Sequence, residues 1–151
     1  MGITIRRLQK KDEKKVFSLI KRTFLKYNNI SLSQEVIRDY LSFLTHDNFC
    51  VFLRQDSFVA ECNRKVVGFV RGRGERISSL FIDGRYHRRS IRTRLTAMLE
   101  ASLIKNTDII RIRSSLHAVD FYERVGYRKT TGVRRFRGIL IQPMKKVVRK
   151  P

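Results

Sequence analysis

Residues 77–102 read ISSLFIDGRYHRRSIRTRLTAMLEAS: an apolar, strand-like run, a basic loop, then Ile91, Leu95, Met98 and Leu99 at helical spacing. A helix start exposes backbone N–H groups that have no partner within the helix, and it carries the positive end of the helix dipole. A pyrophosphate placed there is held by main chain. His87, Arg88, Arg89, Arg92 and Arg94 add cationic donors around that point. The plainer reading of the same residues is a solvated basic loop before an ordinary helix. No metal centre is expected: His46, His87 and His117 are far apart in the chain, and Cys50 and Cys62 do not form a CxxC pair. Arg71-Gly72-Arg73-Gly74 reads as a turn between strands. Phe17, Phe24, Phe43, Phe49 and Phe58 read as core or groove-lining residues.

The elements that must position this segment follow from periodicity. Ile3 and Ile5 alternate with polar residues, which predicts a first strand. From about Lys11, Val16, Leu19, Ile20 and Phe24 fall at helical spacing, and Asn28-Asn29 ends that helix. Ser33 is a candidate cap for a second helix with an apolar stripe of Val36, Ile37, Tyr40, Leu41 and Leu44. SFVAECNRKVVGFVRG predicts two strands turning at Asn63-Arg64. RISSLFID is the fourth strand, IIRIR the fifth, and LHAVDFYERVG a helix that Gly126 caps. Two last strands are predicted at 127–131 and 138–142. The order β-α-α-β-β-β-α-β-α-β-β implies a mixed sheet flanked by helices, an α/β (α+β) arrangement.

Composition bounds the partners. The chain has 151 residues, the ordinary size of one domain, and no linker, repeat or low-complexity stretch divides residues 1–151. Lys and Arg number 34 against 13 Asp and Glu, a formal charge of +21. Residues 1–75 carry net +7 and residues 76–151 net +14, so the second half is the more basic. Such charge attracts polyanions: nucleic acid, anionic lipid or a phosphate-rich cofactor. The terminal stretch 145–151, KKVVRKP, reads as a frayed basic end. No apolar run reaches the ~20 residues of a membrane span. The N-terminus lacks the apolar core of a signal peptide, and two cysteines make no disulfide framework, so a cytoplasmic setting is expected.

Three segments in order resemble the GNAT superfamily of acetyl-CoA-dependent N-acetyltransferases. They are LFIDGRYHRRSIRTRLTAMLE, SSLHAVDFYERVGYRKT and the closing GILIQPMKK. In the first, Tyr86 precedes His87 to Arg92 in the register of the family's Gln/Arg-x-x-Gly-x-Gly/Ala loop. The second matches A-x-x-F-Y-x-x-x-G-F/Y at Ala118, Phe121, Tyr122, Gly126 and Tyr127. The resemblance implies an acyl-CoA N-acyltransferase fold with a mostly antiparallel sheet, its parallel strands four and five splayed. It implies acetyl-CoA as co-substrate and direct attack by an amine acceptor of unspecified identity. It also implies that Leu80, Phe81, Ile82 and Ser115 border the pantetheine arm and that His87, Arg88, Arg89, Ser90, Ile91 and Arg92 form the pyrophosphate turn. Tyr122 would protonate the leaving thiolate. Glu75, just before strand four, is the candidate general base, with Glu61 a second. Ser90 and Arg92 replace the loop's small residues, so Arg92 either obstructs the backbone's approach to phosphate or pairs with it. Arg113 stands where strand five often has asparagine. The alternative function is a non-catalytic acetyltransferase-like domain binding nucleic acid through its basic surface. The expected assembly is a monomer or homodimer.

Overall fold

Capping and hydrophobic period account for most of the elements in the computed structural model, which describes residues 2–28, 32–86 and 89–148, with the side chains of Tyr27, Asn28 and Arg89 outside the description. Strand β1 (Thr4–Arg7) leads into α1 (Glu13–Asn28), whose Val16, Leu19 and Ile20 are fully buried. Ser33 caps α2 (Gln34–Leu41), accepting from the Val36 N–H at 3.2 Å. A helix that periodicity did not predict follows, α3 (His46–Arg54). The Thr45 hydroxyl caps it, and it buries Phe49 and Phe52. Strands β2 (Asp56–Cys62) and β3 (Lys65–Arg73) turn at Asn63 and Arg64, which have the φ of 51° and 65° that a tight two-residue hairpin needs. Arg71 and Arg73 therefore lie in β3; only Gly74 and Glu75 make the turn to β4 (Arg76–Ile82).

Helix α4 (Arg89–Leu103) is followed by β5 (Ile109–Ser115) and α5 (Val119–Arg124). Three strands close the chain: β6 (Arg128–Lys129), β7 (Arg134–Phe136) and β8 (Ile139–Val147). Of the expected basic end at 145–151, Lys145 to Val147 instead belong to β8, and residues 149–151 lie outside the described residues. Val148 is buried, and its N–H donates to the Asp108 carbonyl at 2.7 Å. Strand β8 runs through Pro143 although it lies between two strands. The Pro143 carbonyl accepts from Thr130 N–H, so its missing donor faces that same side, where β6 has just ended.

The sheet order is β1-β2-β3-β4-β5-β8-β6, with β7 paired to β8. All pairings are antiparallel except β4 with β5. One face packs on α4 and α5 through Ile91, Leu95, Leu99, Phe121 and Tyr127; the other packs on α1 and α3 through Leu19, Phe49, Phe52 and Phe69. Helix α4 crosses β3 at Gly68, where a Cβ would lie 2.7 Å from Leu95 Cδ1, so glycine sets the closeness of that layer.

Candidate active site

The parallel pair β4–β5 makes only two register contacts, Arg76 with Arg111 and Ile77 with Ile112. Beyond Ile77, β4 stays paired to β3 as far as Ile82, while β5 goes on pairing with β8 as far as Ser115. The two strands thus diverge at their C-terminal ends. No further register pair joins the two strands after Ile77 and Ile112. The opening is a cavity of about 550 Å³ bordered by Leu80, Phe81, Ile82, Ser115, Arg92 and Tyr122. Helix α4 begins at one side of it. Asp83 shapes the approach to that helix: it accepts from the Arg85 N–H at 3.0 Å and from Arg22 of α1 at 2.7 Å. Burial alone would raise the Asp83 carboxyl, but Arg22 and the Arg85 amide hold it below the usual range.

Tyr122 is 2% exposed and reaches the cavity from α5. The chain's own end-of-helix geometry fixes its place. Gly126, at φ 104°, donates to the Glu123 carbonyl, and Tyr127 N–H donates to the Tyr122 carbonyl at 2.9 Å. That is a Schellman stop, with Tyr122 three places before the cap and Tyr127 just beyond it. Their rings meet edge to face, centroids 5.4 Å apart. The F-Y-x-x-x-G-Y spacing is therefore the spacing of one helix terminus that clamps a tyrosine. Tyr127 is held in turn by Glu100 of α4, to which its hydroxyl donates at 2.7 Å. Burial pushes the Tyr122 phenol well above its ordinary value, so it keeps its proton at neutral and mildly alkaline pH.

Arg92 turns back from the first turn of α4. Its guanidinium lies 5.1 Å from the centre of the Phe121 ring and lines the cavity with Tyr122. Burial lowers its pKa, the nearby Tyr122 offsetting part of the shift. Ser90 is exposed in that turn and does not border the cavity, whereas Ile91 is 1% exposed and anchors the helix in the core. His87, Arg88 and the Arg89 side chain lie outside the described residues.

The structure does not bring the two candidate bases to the cavity. Glu75 sits at the closed end of the β4–β5 pair, where it meets Arg111 at 2.6 Å with about half its side chain exposed. It precedes the last residues that hold the two strands together, so it cannot reach the end where they part. Glu61, on β2, meets Arg6 at 3.2 Å on the far side of the sheet order. Arg71, placed by its sequence context in a turn, and Arg137 in the β7–β8 loop are not among the expected site residues, yet both border the cavity. The signal for Arg71 was the continuous strand-like run KVVGFVRG, which passes through it. Among the described residues no group of three His, Cys, Asp or Glu is arranged for a metal, and no helix is long and apolar enough to cross a membrane.

A twisted, mostly antiparallel sheet with one splayed parallel pair, a helix starting beside the splay and a tyrosine clamped opposite it define an acyltransferase fold. The family model described as the acetyltransferase (GNAT) domain matches residues 28–148, and the chain belongs to that family. Its structure is similar to that of a GCN5-related N-acetyltransferase from Rhodopseudomonas palustris, with TM-score 0.84 and 19% identity over 98% of this chain and 97% of that one. It is also similar to PaiA N-acetyltransferase from Thermoplasma acidophilum, solved in complex with coenzyme A (TM-score 0.76, 15% identity, 97% and 99% covered). A third likeness is to Arabidopsis thaliana Naa50 in complex with the bisubstrate analogue CoA-Ac-MVNAL (TM-score 0.71, 13% identity, 97% and 99% covered). No curated protein sequence matches this chain.

Proposed function

We propose that the protein transfers an acetyl group from acetyl-CoA to an amine. The observation that carries this reading is the β4–β5 splay, which leaves unpaired strand edges facing a cavity that Tyr122 and Arg92 also border. The fit to acetyl-CoA rests on three features of this chain. The edge of β4 at residues 78–81, past the last β4–β5 pair, suits the amides of an extended pantetheine arm, in the manner of an added strand. The start of α4 offers main-chain N–H groups to a pyrophosphate. The cavity volume of about 550 Å³ is that of a small-molecule site.

Bound acetyl-CoA would supply an activated thioester to an attacking amine. The residues of this chain bind, orient and handle one proton. Leu80, Phe81 and Ile82 hold the arm against β4, with Ser115 facing them from β5. Tyr122 keeps its phenolic proton because it is buried, and it gives that proton to the sulfur as the C–S bond breaks. Arg92, turned toward Tyr122 and away from the helix axis, adds positive charge beside the place where the thiolate forms. With Glu75 and Glu61 both away from the cavity, no carboxylate of this chain is assigned as base, and the acceptor's proton passes to water.

The test is calorimetric titration of acetyl-CoA into the parent and into the Ser90→Gly/Arg92→Gly double variant. The parent is expected to bind, more weakly as salt rises. Tighter binding by the double variant means that Arg92 limits approach to the phosphates; weaker binding means that Arg92 is a ligand. Failure of both proteins to bind acetyl-CoA overturns the reading.

A further inference from the structure

The cavity has a second flank, away from Tyr122, and that flank is cationic and aromatic. Three arginines border it from three different elements: Arg71 on β3, Arg113 on β5 and Arg137 at the β7–β8 turn. No Asp or Glu is among the described residues that border the cavity. Arg71 is the most enclosed of the three. Its Nε–H donates to the Ser79 hydroxyl at 3.0 Å and one terminal N–H donates to the Gln55 side-chain carbonyl at 3.2 Å. The guanidinium stands 4.4 Å over the Phe52 ring. Both polar partners are neutral, and among the described residues no carboxylate lies within ion-pair distance of Arg71, Arg113 or Arg137. Arg6, by contrast, is paired with two carboxylates.

A guanidinium withdrawn from water without a counter-charge carries an uncompensated desolvation cost, which an arriving anion offsets. Burial accordingly depresses the Arg71 pKa, with Tyr40 the only group that offsets it. The other walls are flat and apolar. Phe24 stacks on Tyr40 with centroids 4.0 Å apart, and Phe43 meets Tyr40 edge to face at 5.3 Å. Phe136 carries Arg113 over its ring at 4.2 Å. The β7–β8 turn roofs this flank: a Cβ on Gly138 would lie 2.9 Å from Val36 Cγ2, so the hairpin touches α2 across the opening. A roofed cavity of this size suits a small molecule rather than a polymer passing through.

We propose that the acetyl acceptor is a small amine whose other end is a carboxylate or phosphate, seated on Arg71 between the aromatic walls, with Arg113 and Arg137 guiding it in. This rests on the acetyl-transfer reading. The amine would attack the thioester carbonyl, forming the new C–N bond. The C–S bond breaks, the amine's proton leaves to solvent, and the thiolate takes a proton.

The test compares acetyl transfer to matched pairs: phenylalanine with phenethylamine, 4-aminobutyrate with butylamine, and O-phosphoethanolamine with ethanolamine. The acidic member of at least one pair is expected to have the higher kcat/KM by roughly 10–100-fold, the size of a charge-assisted hydrogen bond. The pairs that show it tell carboxylate from phosphate. In Arg71→Met that preference ratio should fall at least tenfold, mainly through KM, and Arg71→Lys should restore part of it. The exposed Arg113→Ala and Arg137→Ala variants give a second reading that does not depend on the fold tolerating a change at Arg71. Each should lower the ratio and weaken its salt dependence. Equal rates for acidic and neutral members, or a preference indifferent to all three arginines, overturns the proposal. A binding arm needs no turnover: N-acetylphenylalanine and inorganic phosphate are titrated into the parent and Arg71→Met, with acetyl-CoA titrated alongside. Arg71-dependent anion binding without acetyl-CoA binding would sink the acetyl-transfer reading and leave the anion site standing. Acetyl-CoA binding without Arg71-dependent anion binding would do the reverse.

Discussion

In the proposed transfer Tyr122 is the residue on which the chemistry turns, and that role separates cleanly from its packing. Tyr122→Phe removes one hydroxyl and leaves the edge-to-face contact with Tyr127 in place. Loss of a general acid costs ~10²–10⁴-fold in rate, and a thiolate leaves well enough unaided that the low end is expected. Acetyl-CoA affinity should hardly change. The measurement is single-turnover transfer with a melting curve alongside, and an unchanged chemical step in a folded variant would leave Tyr122 only its packing role. Because burial raises the phenol, the rate should not fall through loss of that proton until the pH is above the ordinary tyrosine value of about 10. Tyr122, Arg92 and the run at 80–82 on this side of the cavity were legible beforehand, because they sit within fixed spacings of the chain. Glu75 shows the limit of that legibility. Adjacency to β4 said nothing about which end of the strand it occupies relative to the splay, and that is a property of pairing. Arg71, Arg113 and Arg137 come from distant stretches, so only the folded sheet puts them in one place.

Among the elements, the α5 terminus makes the sharpest claim. Gly126 has a φ of 104°, which a side chain tolerates poorly, whereas the nearest atom its Cβ would meet is the flexible end of Lys146 at 3.2 Å. Gly126→Ala should therefore cost about 1–2 kcal/mol through the backbone alone. Urea unfolding would read this as a lower midpoint at unchanged slope, and a change below ~0.5 kcal/mol would mean that the turn is not the clamp described above. Local codes of this kind were readable: the Ser33 cap and the Gly126 stop stand where their residue types demand, and the hairpin turns at Asn63-Arg64 as expected although Arg64 there takes a φ of 65°. Three elements escaped: α3, the second half of β8, and β7, which falls between the last two strands expected at 127–131 and 138–142. Helix α3 is built from HDNFCVFLR, whose β-branched and aromatic residues favour a strand as much as a helix, and tertiary burial of Phe49 and Phe52 decides it. Strand β8 continues past Pro143, which taken alone argues for an end, because its neighbour on that side is only two residues long.

At the scale of the whole molecule, acid stability should report the network that ties the first strand to the sheet. Arg6 grips Asp12 through both terminal nitrogens at 2.9 Å, and Asp12 is 1% exposed. Burial would raise the Asp12 carboxyl, yet Arg6 and the Gln9 amide hold it below the usual range. A depressed carboxyl gives its full stabilisation above the ordinary carboxyl pKa of ~4 and loses it as the pH falls toward the lower folded value. Asp12→Asn should cost about 2–3 kcal/mol at pH 7, the range for hydrogen bonds to a charged group. Its stability should then fall less steeply than the parent's below pH 5. Parallel pH profiles for the two proteins would contradict this. The splay has a mechanical counterpart. β1 to β4 form one plate and β5 to β8 another, and the sheet joins them through two residue pairs at a single corner. That corner is a fulcrum, and Glu75, away from the cavity, spans it through Arg111. Across the opposite layer, Glu100 of α4 tethers Tyr127 and Lys146 of the second plate. Two carboxylates outside the cavity thus bridge the two plates, one at the corner and one through α4.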